Sequence, residues 1–329
     1  MKHVLVIRLS ALGDVAIMAP LVEMYAATNA DIRFTVAGPP LLQPLFEGMP
    51  NVEYLGLKKK QSSAKIYRAL QAVGADTVID LHHVNRVGRA LFMLRLRHLL
   101  DFNFHIYSLR KGRLSRWLFI HHLKSTPRKA QFDRYDEVFS RAGLTPVHVD
   151  VDCQYVPVEP TDEVRIGIAP FAQHKGKIWP LDSMQHLVGV LADRGYKVVL
   201  FGSKDEAPVL EGWTRGDRVV SVAGKQSFRD ELEIIKSLTL MVSMDSANMH
   251  FASALGVPVV SIWGATHPDF GFSGYRQNPS SALCAKLPCQ PCSAYGNKPC
   301  RYGDYRCLRA ITPQMVFDKI EALLSAAQA

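Results

Sequence analysis

A short turn near the start of the chain carries the first residues whose types could do chemistry. Ser10, Gly13 and Asp14 follow Val4 to Ile7, an apolar run with the length of a buried strand. Glycine permits a tight turn or the close approach of a ligand, and a carboxylate beside a hydroxyl can take its proton. Asp14 is therefore a candidate general base. The structural alternative is that Asp14 satisfies the N–H groups at the start of a helix.

Polar residues that follow apolar runs in the second half of the chain suit a diphosphate. Lys175 and Lys177 lie on a glycine-containing loop after the run 164–169 and could hold a diphosphate by charge and hydrogen bonds. The structural alternative is a solvent-exposed lysine pair without a ligand. Asp245 and Ser246 follow a later run, and one or the other would cap a predicted helix, whose first N–H groups form an anion site. His250, one turn into that helix, is equally compatible with a buried core position.

Apolar runs of strand length alternate with helical patterns along the chain. The runs lie at 4–7, 32–37, 52–57, 77–81 and 102–107, and then at 164–169, 197–201, 219–222, 238–242 and 257–263. This alternation predicts parallel strands joined by right-handed crossovers. A break with two prolines at 155–162 separates the halves. The predicted fold is α/β, with two doubly wound, Rossmann-like domains at 1–157 and 158–329 that face each other across a cleft. A final helix from Pro313 closes the chain.

Length and composition exclude several classes of protein. A chain of 329 residues with 48% apolar and 21% charged residues is typical of two packed domains and not of a disordered protein. No apolar run approaches the roughly 20 residues of a membrane-spanning helix. Arg8 and Asp14 interrupt the N-terminal apolar stretch, which favours a strand over a signal peptide and predicts a cytoplasmic protein. The absence of a Gly-x-Gly-x-x-Gly or Walker A sequence counts against a dehydrogenase and a P-loop phosphotransferase.

One segment carries the whole positive excess of the chain, whose formal net charge is +9. Between Arg86 and Arg134 there are 12 Lys and Arg against two Asp. Such a segment attracts nucleic acid, acidic lipid head groups or a phosphorylated glycolipid, unless it is only a solvated face. The aromatic residues within it stand in apolar contexts, which suit a core better than base stacking.

The motifs taken together resemble the lipopolysaccharide heptosyltransferases of glycosyltransferase family 9, which have the GT-B fold. The matching pieces, which run in order through nearly the whole chain, are Ser10-x-x-Gly13-Asp14, Lys177-x-Trp179-Pro180, Asp245-Ser246-x-x-x-His250 and Gly264-x-Thr266-x-Pro268. The resemblance implies an inverting transfer of a sugar, from ADP-heptose or a related nucleotide sugar, onto a lipopolysaccharide-core or similar glycolipid acceptor. It implies neither a catalytic metal nor a cofactor.

The resemblance also implies roles for individual residues. Asp14 would deprotonate the acceptor hydroxyl, with Ser10 and Gly13 forming its turn. The donor-binding residues would be Lys177, Glu206, Asp245, Ser246, Ala247, Asn248, His250 and Thr266. Ala247 and Asn248 depart from the family pattern, which usually has Gly followed by an apolar residue, so the donor sugar need not be a heptose. The basic segment 86–134 would bind the phosphorylated acceptor or the inner face of the cytoplasmic membrane.

Two other functions compete with this prediction. A nucleic-acid-binding protein would use the basic segment 86–134, but it would leave Asp14, Lys177 and Asp245 unexplained. A nucleotide-sugar epimerase on the same scaffold would need a second acid or base near the sugar, and the sequence identifies none.

Five of the six cysteines fall between positions 284 and 307. Cys289, Cys292, Cys300 and Cys307 have the ligand number of a structural zinc site, although the second spacing is looser than that of a zinc ribbon. Some members of the resembled family carry similar cysteine loops. Three interpretations stay open at this point: free buried thiols, a metal site, and disulfides formed on purification.

Overall fold

The computed structural model describes residues 2–123, 126–145, 156–158 and 162–326. The chain divides into two compact units, Met1–Gly112 with Gln131–Val151 and Arg113–Ala130 with Asp152–Ala329. The predicted boundary at 157/158 stays a prediction, and half of the predicted linker at 155–162 lies outside the described residues.

The first unit is built on a five-stranded parallel sheet in the order β3-β2-β1-β4-β5. Its strands are β1 (His3–Ile7), β2 (Arg33–Gly38), β3 (Val52–Gly56), β4 (Thr77–Asp80) and β5 (His105–Ser108). Its helices are α1 (Leu12–Thr28), α2 (Ser63–Val73), α3 (Asn85–Arg97) and, after the intervening α4 (Arg113–Ile120) of the second unit, α5 (Gln131–Arg141). Every residue of β1 is buried, as expected for a central strand covered on both faces.

The second unit is built on a six-stranded parallel sheet in the order β11-β10-β9-β6-β7-β8. Its strands are β6 (Arg165–Ala169), β7 (Lys197–Leu200), β8 (Val219–Ser221), β9 (Leu240–Met244), β10 (Val259–Trp263) and β11 (Ala282–Cys284). Its further helices are α6 (Leu181–Asp193), α7 (Ala207–Glu211), α8 (Phe228–Lys236), α9 (Ala247–Ala254), α10 (Arg306–Arg309) and α11 (Pro313–Ala326).

The predicted alternation is confirmed, with strand ends shifted by up to three residues. The largest shift is at 102–107, where β5 begins at His105, and the strands predicted at 238–242 and 257–263 begin two residues later than predicted, at Leu240 and Val259. The assignment of segment 113–130 to the second unit was not predicted. The contacts that join this segment to the second unit include an edge-on packing of Phe119 in α4 on Phe270, at 5.1 Å between ring centroids, and a hydrogen bond from the Arg128 amide to the Asp269 carbonyl at 2.8 Å. The basic segment 86–134 is thus divided between the two units.

A buried tryptophan links the loop after β6 to the last helices of the second unit. The Trp179 indole N–H donates to the Ile311 carbonyl at 2.9 Å, and the Trp179 amide donates to the Met244 sulfur at 3.3 Å. The side chain is fully buried. These bonds satisfy the polar end of a large apolar side chain and anchor the loop that carries Lys177.

None of the helices among the described residues is long and apolar enough to cross a membrane.

Close backbone packing at Gly264 leads to a stability prediction. A Cβ there would lie 2.5 Å from the Gly176 carbonyl oxygen and 2.6 Å from Leu308, whereas Gly189 in α6 has only an arginine tip at 3.9 Å. We expect Gly264→Ala to destabilise the protein by about 1–3 kcal/mol and Gly189→Ala to stabilise it by about 0.5–1 kcal/mol. The midpoints of thermal unfolding check this, and a Gly264→Ala midpoint equal to that of wild type would contradict the packing.

Candidate functional site

In each sheet the chain adds strands on one side of its first strand and then returns to add the rest on the other side. The gap between the first strand and the strand laid down after the return is called a switch point. In the first sheet this switch point lies between β1 and β4, and in the second between β6 and β9. Ligands of open parallel sheets bind beyond the carboxyl ends of the strands at such points. The predicted residues Asp14, Lys177 and Asp245 all follow one of these four strands.

Asp14 stands at the third position of α1, where Arg8 and a backbone amide hold its carboxylate. Asp14 Oδ2 accepts from the Arg8 guanidinium and from the Ala11 amide, the latter at 3.1 Å. The Asp14 side chain is 20% exposed to solvent. Among the described residues, Oδ1 has no hydrogen-bond partner. The structural interpretation and the chemical one are therefore compatible, because one oxygen caps the helix start and the other can meet a substrate.

His82, which follows β4, fixes the orientation of Ser10. The Leu9 amide donates to His82 Nδ1 at 3.1 Å, and His82 Nε2 lies 3.2 Å from Ser10 Oγ. Because Nδ1 accepts a backbone N–H, a neutral ring must carry its proton on Nε2 and donate it to Ser10. The Ser10 hydroxyl hydrogen is then available to a ligand.

Burial keeps the His82 ring neutral. Burial first, and then the nearby charges of Arg8 and Lys111, lower the pKa of His82 to about 4. Asp80, at the end of β4, accepts the His82 and His83 amides at 3.0 and 2.8 Å. Burial raises the pKa of Asp80 although these two N–H groups oppose that rise. Together these contacts order the turn after β4.

The second switch point holds a buried ion pair. Lys177 Nζ lies 2.9 Å from Asp245 Oδ2, and their side chains keep only 17% and 7% of their exposure. Lys177 ends a 3₁₀ turn after β6, and Asp245 directly follows β9. The structure thus brings together two residues that are 68 positions apart. Three ammonium hydrogens allow Lys177 to donate to Asp245 and to further acceptors at once.

The helix that follows Asp245 has an open N-terminus. Ser246 is the N-cap of α9, but its hydroxyl lies 3.2 Å from Ser243 Oγ and makes no capping bond. Ala247 and Asn248 form the first turn, so their backbone N–H groups are not capped by Ser246. His250 is buried within α9, and its role in donor binding stays a prediction.

Thr266 and Glu206 lie on loops that follow other strands of the second sheet. Thr266 is 1% exposed, and in the described part of the chain its hydroxyl has no hydrogen-bond partner. Such a group is costly unless a ligand or water satisfies it. Glu206, in the turn after β7, accepts the Ser203 amide at 2.7 Å.

Sequence reasoning missed three residues of the first switch point, namely Arg8, Asp80 and His82. A signal existed for each of them. Arg8 is a charge directly after the apolar run 4–7, Asp80 lies near the end of the run 77–81, and His82 directly follows that run. Their grouping depends on β1 pairing with β4, which the strand patterns do not specify.

The lowered pKa of His82 predicts acid sensitivity. The folded protein keeps this ring neutral, while the unfolded chain takes up a proton below about pH 6.5. Its contribution to stability is therefore fully present above pH 6.5 and is lost as the pH falls towards 4. We expect wild type to lose up to about 1.4 kcal/mol of unfolding free energy per pH unit more than His82→Gln in this window. Urea unfolding at pH 7.5 and 5 measures the difference, with His83→Gln as control. Parallel pH profiles of wild type and His82→Gln would refute the prediction.

The known proteins to which this chain is similar include several named as heptosyltransferases. Lipooligosaccharide heptosyltransferase 2 of Haemophilus influenzae is 32% identical over 112 residues, which is 32% of this chain and 32% of that protein. The chain thus matches only about a third of the length of this relative. Lipopolysaccharide heptosyltransferase 1 of Escherichia coli K12 is 26% identical over 84% of this chain and 92% of its own length.

Solved structures confirm the fold. The structure of E. coli ADP-heptose LPS heptosyltransferase II matches 100% of both chains with a TM-score of 0.69 and 23% identity. This similarity supports the predicted GT-B fold class. The sequence profile described as glycosyltransferase family 9 (heptosyltransferase) matches residues 63–303, well over half of the chain. The chain therefore belongs to glycosyltransferase family 9, the heptosyltransferase family.

Proposed function

We propose that this protein transfers a heptose from ADP-heptose, with inversion, onto a lipopolysaccharide-core or related glycolipid acceptor. The observation that carries the proposal is the buried Lys177–Asp245 pair beside the open N-terminus of α9. Relatives named as heptosyltransferases support the choice of donor and acceptor. Membership of family 9 favours neither the nucleic-acid-binding protein nor the epimerase.

The donor diphosphate binds at the second switch point. Lys177 keeps one hydrogen bond to Asp245 and donates the others to phosphate oxygens. The amides of Ala247 and Asn248 donate to the same phosphate oxygens. The dipole of α9 also favours negative charge at this position. Thr266 supplies a hydroxyl that has no internal partner among the described residues. These groups stabilise the negative charge that grows on the leaving diphosphate.

Asp14 acts as general base in a single displacement. It takes the proton of the acceptor hydroxyl while that oxygen attacks the anomeric carbon. The bond from that carbon to the diphosphate oxygen breaks, and ADP leaves with the electron pair. One displacement inverts the anomeric centre. Arg8 holds the Asp14 carboxylate in place, and Ser10, oriented by His82, donates its hydroxyl hydrogen to the acceptor. No metal ion is required by this scheme.

Two variants separate donor binding from proton transfer. We expect Lys177→Ala to weaken ADP binding at least tenfold, because a charge-assisted contact is worth roughly 1.5–3 kcal/mol. Lys175→Ala, which removes an exposed lysine two residues away, is the matched control. Asp14→Asn should bind ADP as wild type does and lose transfer by about 10²-fold or more. Calorimetry with ADP, UDP, GDP and CMP and a transfer assay with ADP-heptose measure both effects.

The outcomes are distinct. Binding that is selective for ADP and depends on Lys177 supports the donor site. Lys177→Ala also leaves Asp245 buried without its cation, so Lys177→Arg, which keeps the charge, tests whether lost binding reflects lost folding. Equal ADP affinity in wild type and Lys177→Ala would contradict the donor site, and full activity of Asp14→Asn would contradict the general base.

The acceptor side of the proposal includes contact with the membrane. Five large apolar side chains at the end of α3, named here the apolar ridge, are exposed to solvent: Phe92, Leu96, Leu99, Leu100 and Phe102. Leu100 and Phe102 keep 86% and 90% of their exposure. Phe92 and Leu96 are one turn apart on the side of α3 opposite its buried residues. Several large exposed apolar side chains within eleven residues of chain are typical of an interaction site.

The charges around the ridge favour an anionic membrane. Arg86, Arg89, Arg95 and Arg97 are exposed on the same helix, and Asp101 is the acid of this stretch. Apolar side chains flanked by arginine are typical of surfaces that lie in the lipid head-group region. We infer that the ridge enters an anionic membrane surface, as suits an enzyme with a glycolipid acceptor.

Vesicle binding tests this surface. The double substitution Leu100→Ser with Phe102→Ser should reduce binding to phosphatidylcholine–phosphatidylglycerol vesicles at least tenfold, because it removes two apolar side chains from the lipid contact. Leu41→Ser, an exposed leucine of the same unit outside the ridge, is the control. Phosphatidylcholine vesicles and high salt should each weaken wild-type binding. If the double variant and wild type sediment equally with anionic vesicles, the apolar ridge does not bind the membrane.

A further inference from the structure

Residues 284–307, named here the Cys-rich loop, lie against the loop that follows β10. The five cysteines of the Cys-rich loop are free thiols, and no three His, Cys, Asp or Glu side chains among the described residues stand at the spacing of metal ligands. The zinc site that the sequence suggested for four of these cysteines therefore stays a prediction. The contacts between the two loops depend instead on a glutamine, Gln290.

The Gln290 side chain binds three backbone carbonyls of residues 263–266, named here the β10 loop. Gln290 Nε2 lies 3.2 Å from the Trp263 carbonyl oxygen and 3.4 Å from that of Thr266, and it also donates to the Gly264 carbonyl. Its two N–H groups are thus shared among three acceptors. Because Gln290 is only 7% exposed, little water competes for these bonds.

The backbone of the same segment holds the remaining carbonyl of the β10 loop. The Ala265 carbonyl accepts the Cys292 and Ser293 amides, each at 3.1 Å. All four carbonyls of residues 263–266 therefore accept hydrogen bonds from residues 290–293. A change in the conformation of the β10 loop must break several of these bonds, and each broken bond would leave a buried polar group without its partner.

The donors of Gln290 decide how its side-chain amide is oriented. Gln290 Oε1 is buried and accepts no hydrogen bond from any described residue. If the amide were turned over, Oε1 would face three carbonyl oxygens, which repel it. A side chain that only filled space would need neither three donated bonds nor a buried oxygen without a donor, which costs free energy.

The β10 loop is joined to both donor-binding groups of the second switch point. Thr266 belongs to this loop, and its buried hydroxyl has no hydrogen-bond partner in the described part of the chain. The Ala265 amide donates at 2.7 Å to the carbonyl of Gly176, the residue before Lys177. The Cys-rich loop also contacts Lys177 directly, since a Cβ at Gly296 would lie 2.6 Å from Lys177 Cγ. Displacement of the β10 loop would therefore move Thr266 and break a bond to the turn of Lys177.

We propose that Gln290 is a positioning residue of the donor site, whose side-chain amide fixes the β10 loop and, through it, the Thr266 hydroxyl. The ligand of that hydroxyl, ADP, rests on the proposed function. The fixation itself is a property of the ligand-free protein. Gln290 takes no part in the making or breaking of bonds.

Hydrogen exchange of the ligand-free protein tests this positioning. Gln290→Met keeps the approximate volume of the side chain and removes both donors. We expect amide exchange in segment 263–267 to become at least about tenfold faster in this variant. Gln277→Met is the matched control, because Gln277 accepts the Val259 amide at 2.7 Å and donates to the Val257 carbonyl at 3.1 Å at the start of β10. Unchanged exchange of segment 263–267 in Gln290→Met would overturn the proposal.

A double-mutant cycle tests whether Gln290 acts through Thr266. We expect Gln290→Met to weaken ADP binding about fivefold in the wild-type background and less than about twofold in the Thr266→Val background, because the hydroxyl that it positions is then absent. Gln277→Met should change ADP affinity less than about twofold in either background. Equal losses for Gln290→Met in both backgrounds would indicate a general structural effect and would contradict the proposal.

The remaining outcomes also decide the proposal. Should Gln290→Met fail to fold, ligand-free wild type provides a second measurement. Segments 263–266 and 290–293 should open with the same free energy as denaturant is added, because one set of hydrogen bonds holds both. Independent opening of the two segments would overturn the positioning role. A wild-type protein that binds no ADP, with faster exchange in Gln290→Met alone, would refute the proposed donor and support the fixation of the β10 loop by Gln290.

Discussion

The constraint on which the whole structure depends is that every strand in both sheets runs parallel to its neighbours. Parallel strands place all their carboxyl ends on one edge, so the loops that follow them converge there. At the switch points the neighbouring loops come from strands distant in sequence. Lys177 follows β6 and Asp245 follows β9, and strand adjacency is what brings them to 2.9 Å. The same rule places His82, after β4, beside Ser10, after β1.

The two switch points carry opposite chemistry. The first offers a carboxylate with one free oxygen among the described contacts, a neutral histidine and a serine whose hydroxyl can donate. The second offers an ammonium group, uncapped helix amides and a buried hydroxyl. Under the proposed function, the first set would activate the acceptor and the second would stabilise the leaving diphosphate. The buried ion pair holds Lys177 in place at the second switch point.

Residues packed around the second switch point hold the loop of Lys177 in place. Trp179 ties the lysine loop to the segment before α11, and Gly264 and Gly176 let two loops approach closer than any side chain would permit. The Cys-rich loop then covers Lys177 through Gly296. This packing orders a part of the chain that has little regular secondary structure of its own.

The sequence by itself determined the fold class, because apolar runs of strand length between helical patterns have few stable arrangements. It also selected Asp14, Lys177 and Asp245 as candidates, since polar and charged residues directly after strand-length apolar runs are visible in a linear pattern. Only the tertiary structure decided that Lys177 pairs with Asp245, that Arg8 and His82 join Asp14 and Ser10, and that segment 113–130 packs with the second unit. These depend on strand order and on side-chain packing between distant residues, which local periodicity does not encode.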